Sequence, residues 1–146
     1  MISRINVRGV IYKDNLIFAQ RLKVEAGEPL RNWWCLPGGG KEDGESLKET
    51  LVREMIEETG VAPQIGRLLA VQQFADKKRG GEQLEFFFEI VNFADYEQVD
   101  LSQTALGVEE VEECGFIDPS QAIIYPKFLS KIDLRQTKDV YFYCEL

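Results

Sequence analysis

Glu54, Glu57 and Glu58 stand three and four residues apart, and Gly60 follows closely. On an α-helix these spacings put three carboxylates on one face, spanning about 100°. Like charges at i,i+4 repel by a few tenths of a kcal/mol, and the helix C-terminus adds an unfavourable dipole term of about 0.3–1 kcal/mol for each acid. Such a cluster needs a positive partner. Arg53 can neutralise part of the charge, and Lys48 lies more than a turn away. A hard divalent cation, Mg²⁺ or Mn²⁺, resolves the conflict, because it prefers carboxylate oxygens and keeps coordination positions for water and phosphate. The plain alternative is a solvated acidic face, and the trio by itself does not decide between them.

The rest of the composition narrows the chemistry. There is no histidine, so Ser-His-Asp and Cys-His nucleophiles, imidazole bases and imidazole metal sites are excluded. Cys35, Cys114 and Cys144 are odd in number, far apart and free of any C-x-x-C pair, so they read as reduced thiols. Catalysis must therefore rest on carboxylates, Lys, Tyr or a hard metal ion. A net charge of −8 argues against broad binding to nucleic acid or anionic membranes. The apolar runs "FFF" and "WWCL" are too short to span a bilayer, and "MISRINVRGV" has no secretory h-region. A cytoplasmic protein, monomer or homodimer, is the expectation, with all 146 residues in one domain.

These acids must be held by a definite set of elements. Leu47, Leu51 and Met55, with Val52 and Ile56, recur at helical spacing between Glu45 and Thr59, and Gly60 supplies the stop. The acids should flank this stripe, at the rim of the buried face. Upstream, Ile5 to Gln20 reads as a hairpin turning at Lys13-Asp14-Asn15, Arg21 to Asn32 as a loop, and Pro37 to Gly40 as a turn. Downstream, Ile65–Phe74 and Leu84–Phe93 read as strands, followed by a long acidic surface loop. A short strand at Cys114–Ile117, a helix from Pro119 towards Ile132 and a terminal strand "VYFYCEL" complete the reading. The class is α/β, with a mixed sheet covered by helices on both faces.

From Gly39 the sequence runs Gly, five residues, Glu45, seven residues, then Arg53-Glu54-Met55-Ile56-Glu57-Glu58-Thr59-Gly60-Val61. This resembles the complete signature of the Nudix hydrolase family, G-x5-E-x7-R-E-U-x-E-E-x-G-U, with Met55 and Val61 at the bulky aliphatic U positions. "WCLPGGG" resembles the family's W-x-L-P-G-G lead-in. The resemblance implies an α/β/α sandwich with a mixed central sheet, and hydrolysis of a pyrophosphate linkage in a nucleoside diphosphate derivative with Mg²⁺ or Mn²⁺. It assigns Glu54, Glu57 and Glu58 as metal ligands, with Glu54 or a loop acid orienting water. The carbonyl of Gly38 or Gly39 completes the coordination, and Arg53 and Glu45 orient the ligands.

Outside the signature, Arg21 occupies a place where many members carry a phosphate-binding arginine, though a loop salt bridge serves equally well as a reading. Trp34, with Trp33, is a candidate stacking wall, although paired tryptophans before a turn more often pack inward. The family often adds a loop glutamate as base or ligand; Glu109, Glu110, Glu112 and Glu113 are the candidates, Glu109 and Glu110 first. The markers of several subfamilies are missing: Ala75 stands where many ADP-ribose hydrolases have proline. A nucleoside triphosphate or related nucleotide is thus the first expectation for the substrate, ADP-ribose or a nucleotide sugar the second. A non-catalytic nucleotide-binding or sensor module is the third, and the intact signature argues against it.

Overall fold

The computed structural model describes residues 1–146. The N-terminal run forms β1 (Ile2–Val10), after which the chain crosses to a second sheet through β2 (Tyr12–Lys13) and β3 (Leu16–Leu22). Only β2 and β3 form the expected hairpin, pairing Lys13 with Leu16 around Asp14 at φ 53°. β1 leaves that hairpin because Val7 and Val10 belong to different apolar clusters, so it needs cover on both faces. It gains that cover inside a mixed five-stranded sheet.

Four further strands belong to this description: β4 (Trp33–Cys35), β5 (Gly38–Gly40), β6 (Ile65–Ala75) and β7 (Glu82–Ile90). β1 runs parallel to β7 and antiparallel to β5, with Val7 opposite Gly39. β6 pairs antiparallel with β7. The Pro-Gly-Gly-Gly segment is therefore an edge strand, where a turn was expected. In the second sheet β3 pairs antiparallel with β4.

The central helix α1 spans Leu47–Thr59. Ser46 and Glu49 form a reciprocal capping box at its start, and Gly60 closes it at φ 75°. Leu51 and Met55 bury against Val7, Ile11, Phe18, Phe88 and Tyr96. Glu58 lies three residues beyond Met55 and so continues this stripe. It is 4% exposed, in place of the rim position the sequence suggested.

The acidic loop is more ordered than its sequence pattern indicates. Tyr96 is buried and donates its hydroxyl to the Val61 carbonyl at 2.9 Å. A one-turn helix, α2 (Gly107–Glu110), leads into β8 (Val111–Ile117), which pairs antiparallel with β3. The Leu106 N–H donates to the Glu57 carbonyl at 2.9 Å, satisfying a backbone acceptor that the end of α1 leaves free. That bond docks α2 beside the acidic end of α1.

The helix expected after Pro119 does not form. β9 (Ile123–Tyr125) runs parallel to β4, followed by 3₁₀ turns at Lys127–Ser130 and Leu134–Gln136. The β-branched pair Ile123-Ile124 favours a strand, and Pro126 disfavours helical backbone at Tyr125. Leu129 and Leu134 from these turns still fill the second core cluster, with Val10, Ile17, Leu36 and Phe87. β10 (Tyr141–Glu145) completes the first sheet beside β6. No helix is long and apolar enough to cross a membrane.

Leu51 is fully buried and its neighbour Val52 is 36% exposed. Leu51→Ala should therefore lower the unfolding free energy by about 2–5 kcal/mol, and Val52→Ala by no more than about 0.5 kcal/mol, in denaturant titrations. Equal losses would mean that α1 presents a different face to the sheet.

Candidate active site

β5 is the edge of its sheet, and its glycines explain how the acidic helix docks there. The Gly9 N–H donates to the Pro37 carbonyl at 3.0 Å and the Lys41 N–H to the Ile5 carbonyl at 2.9 Å. Bonded pairs alternate in an antiparallel ladder, so the Val7–Gly39 pair is bonded and the peptide groups of Gly38 and Gly40 face outward. Side chains take the place of a further strand. The Gly38 N–H donates to Glu58 Oε1 at 2.8 Å, the Gly38 carbonyl accepts from Arg8 at 3.0 Å, and the Gly40 carbonyl accepts from Arg53 at 3.1 Å. Gly38 sits at φ 134°, which L side chains rarely adopt. A Cβ on Gly39 would lie 2.5 Å from the Glu54 carboxyl carbon. Of the two carbonyls the signature left open, Gly38's faces outward and Gly39's faces Val7.

Arg53 ties the loop to the helix. It holds Glu45 through a fork of two bonds, 2.6 and 2.9 Å, and also reaches Glu54 at 3.0 Å and Glu57 at 3.3 Å. This pulls the Glu45 pKa down to about 2. Burial acts the other way on the helix acids. Desolvation raises Glu54 above its ordinary range and pushes Glu58 up to about 7, against the opposing effect of its bonds to Gln20 and Gly38. Gln20 Nε2 donates to Glu58 Oε2 at 2.6 Å, while the buried Gln20 Oε1 has no partner.

Glu54, Glu57 and Glu58 line a cleft of about 850 Å³ with Arg53, Gly38, Gly39, Glu109 and Glu110. Glu45 braces Arg53 from outside the lining. Because Arg53 stands between Glu54 and Glu57, and Glu58 is turned to Gly38, no three acids form a preformed metal cage. The donor set nonetheless suits a hard cation: closely placed carboxylates, two of them raised by burial, beside an outward carbonyl.

Two expected substrate contacts lie elsewhere, and strand parity is the reason. Gln20 shares a face of β3 with Phe18, towards α1; Arg21 faces the other way, pairs with Glu113 at 2.7 Å and lies over Trp34. In β4, Trp33 and Cys35 line the cleft, whereas Trp34 packs on the core cluster of Leu36 and Phe87. In this structure Arg21 makes an ion pair and Trp34 a packing contact, the other readings that the sequence offered for each.

Residues not singled out in the sequence also line the cleft, namely Arg4, Arg8, Gln20, Lys23 and Arg31, beside Trp33, the other half of the candidate stacking wall. The parity of β3 and β4 could have pointed to Gln20 and Trp33. Nothing local marks Arg4 and Arg8, which reach the site only because β1 pairs with β5.

Comparisons with known proteins agree with this architecture. The chain matches the NUDIX domain family over residues 3–140. A protein of Methanocaldococcus jannaschii named ADP-ribose pyrophosphatase is 38% identical over 82 residues, covering 56% of this chain and 47% of that protein. The chain thus spans less than half the length of that relative. Among solved structures, a MutT protein from Bacillus halodurans superposes with a TM-score of 0.68 at 20% identity, covering 97% of this chain and 89% of the other. A MutT NUDIX hydrolase from Burkholderia pseudomallei gives 0.66 at 22%, covering 92% and 98%. With the signature helix, its glycine edge strand and a family match over nearly its whole length, the chain belongs to the Nudix hydrolase family.

Proposed function

We propose that this protein hydrolyses a pyrophosphate linkage in a nucleoside diphosphate derivative, first a nucleoside triphosphate or related nucleotide, with Mg²⁺ or Mn²⁺. Hydrolases of this family generally use divalent metals and act on small nucleotide substrates. One observation carries the reading: the acidic cleft shares Arg8 and Cys35 in its wall with a second recess of about 790 Å³, lined by Phe74, Tyr125, Phe128, Tyr141 and Tyr143. A ring fits the aromatic recess while its phosphates lie in the cleft.

In this reading Glu54, Glu57 and Glu58 would hold the cation, joined by the Gly38 carbonyl. Its chemistry there would be polarisation of phosphoryl oxygens and a lowered pKa for water. Arg53 keeps the helix acids in place, and Arg4, Lys23 and Arg31 in the lining of the same cleft offset phosphate charge. Glu109 and Glu110, which α2 carries into the cleft lining, are in this reading the acids that accept a proton from water. ADP-ribose or a nucleotide sugar is the second substrate choice, and the similarity to the Methanocaldococcus protein supports ADP-ribose of the two.

A panel of nucleoside triphosphates, ADP-ribose, nucleotide sugars and dinucleotides, assayed with Mg²⁺ and Mn²⁺, should give turnover that Glu57→Gln lowers about tenfold or more. No hydrolysis of any member would leave a nucleotide-binding module as the reading.

Glu58 supplies a second test. Its folded pKa is raised to about 7 from 4.5, so its stabilising contribution is complete below pH 4.5 and is lost as pH rises through about 7. Metal-free Glu58→Gln should thus melt above wild type at pH 8, with the gain closing by about pH 5. Mn²⁺ should raise the wild-type melting temperature and move the variant much less. A variant matching wild type in both conditions would mean that Glu58 is neither strained by burial nor a ligand.

A further inference from the structure

Glu85 lies on β7, in the wall of the aromatic recess, and is buried. Both of its carboxylate oxygens are engaged: Oε1 accepts from Gln72 at 2.9 Å and Oε2 from Arg8 Nε at 3.1 Å. Arg8 turns its Nη1 to the carbonyls on either side of Pro37, Leu36 at 3.3 Å and Gly38 at 3.0 Å. The same Gly38 residue donates its N–H to Glu58. A path of contacts thus runs from the aromatic recess, through Glu85 and Arg8 to the Gly38 carbonyl, and across the Gly38 Cα to its N–H and a carboxylate of the acidic helix. A buried ion pair is weak evidence for stability, since apolar packing often serves as well. What this pair does in addition is brace a guanidinium against a glycine peptide whose backbone conformation few residues adopt.

We propose that Glu85, acting through Arg8, is a positioning residue that holds the Gly38 peptide and, with it, Glu58 in the geometry that receives the divalent cation. The inference rests on the function proposed above. Without the Glu85 charge, Arg8 keeps its own charge and has Glu54 and Glu58 as the carboxylates within its influence. It would then leave the Gly38 carbonyl and compete with the cation for these acids. Lysine at position 8 can pair with Glu85 but has no planar fork with which to reach Glu85 and two carbonyls together.

The test is a Mn²⁺ titration of the metal-free protein, followed by the resonance of free Mn²⁺, alongside steady-state kinetics. E85Q and R8K should each raise the Mn²⁺ Kd about tenfold or more, the effect expected of groups that orient ligands. Their kcat should fall while KM for the hydrolysed nucleotide stays near wild type. E85D, which restores the charge, should recover most of the affinity. R8K keeps the test open if E85Q fails to fold. Unchanged Mn²⁺ affinity with a raised KM would overturn the proposal and make Glu85 only a wall of the aromatic recess. Unchanged Mn²⁺ affinity with a lowered melting temperature alone would overturn it in favour of a purely structural pair. Wild-type protein that binds no Mn²⁺ would overturn the cation reading itself, and this inference with it.

Discussion

The bond from the Gly38 N–H to the buried Glu58 carboxylate is the constraint on which the site depends. An edge strand exposes peptide groups that must find partners, and a carboxylate withdrawn from water must find donors. Each settles the other's need. To meet, they require a backbone that can sit at φ 134° and a helix face that carries Glu58 in line with Leu51 and Met55. The glycine at position 38, the register of β1 against β5 and the rotation of α1 all meet in that contact.

The same contact creates an electrostatic conflict. Burial raises Glu58 and Glu54, Glu57 lies beside them at a helix end of the same sign, and Arg53 relieves the cluster only in part. A fold that tolerates this retains an unmet demand for positive charge at one place. In the proposed function a divalent ion meets it and is thereby held where phosphates arrive from the aromatic recess.

Local periodicity made α1, its Gly60 stop and the spacing of its acids legible in the sequence, because a capped amphipathic helix declares itself within a few turns. The same periodicity contained the burial of Glu58, three residues past Met55, which counting the acids as a separate face obscured. Arg21 is one residue away from the cleft-facing Gln20, and of the tryptophan pair it is Trp33 that faces the cleft, because strand parity depends on which face a neighbouring element covers. The helix after Pro119 failed for a tertiary reason: Ile123 and Ile124 find a partner strand in β4. Arg8 and Glu85 lie far apart in sequence, and only the parallel pairing of β1 with β7 brings them together. No local pattern carries that information.

In the proposed function the carboxylates of α1, set by Gly38, form a cation site. Crystals soaked in Mn²⁺ and measured at an energy where manganese scatters anomalously test it most directly. The account predicts an anomalous peak in the cleft among Glu54, Glu57 and Glu58, with Arg53 still bound to Glu45. A cleft with no such peak, at Mn²⁺ concentrations that support hydrolysis, or manganese held only by acids outside the cleft, would contradict it.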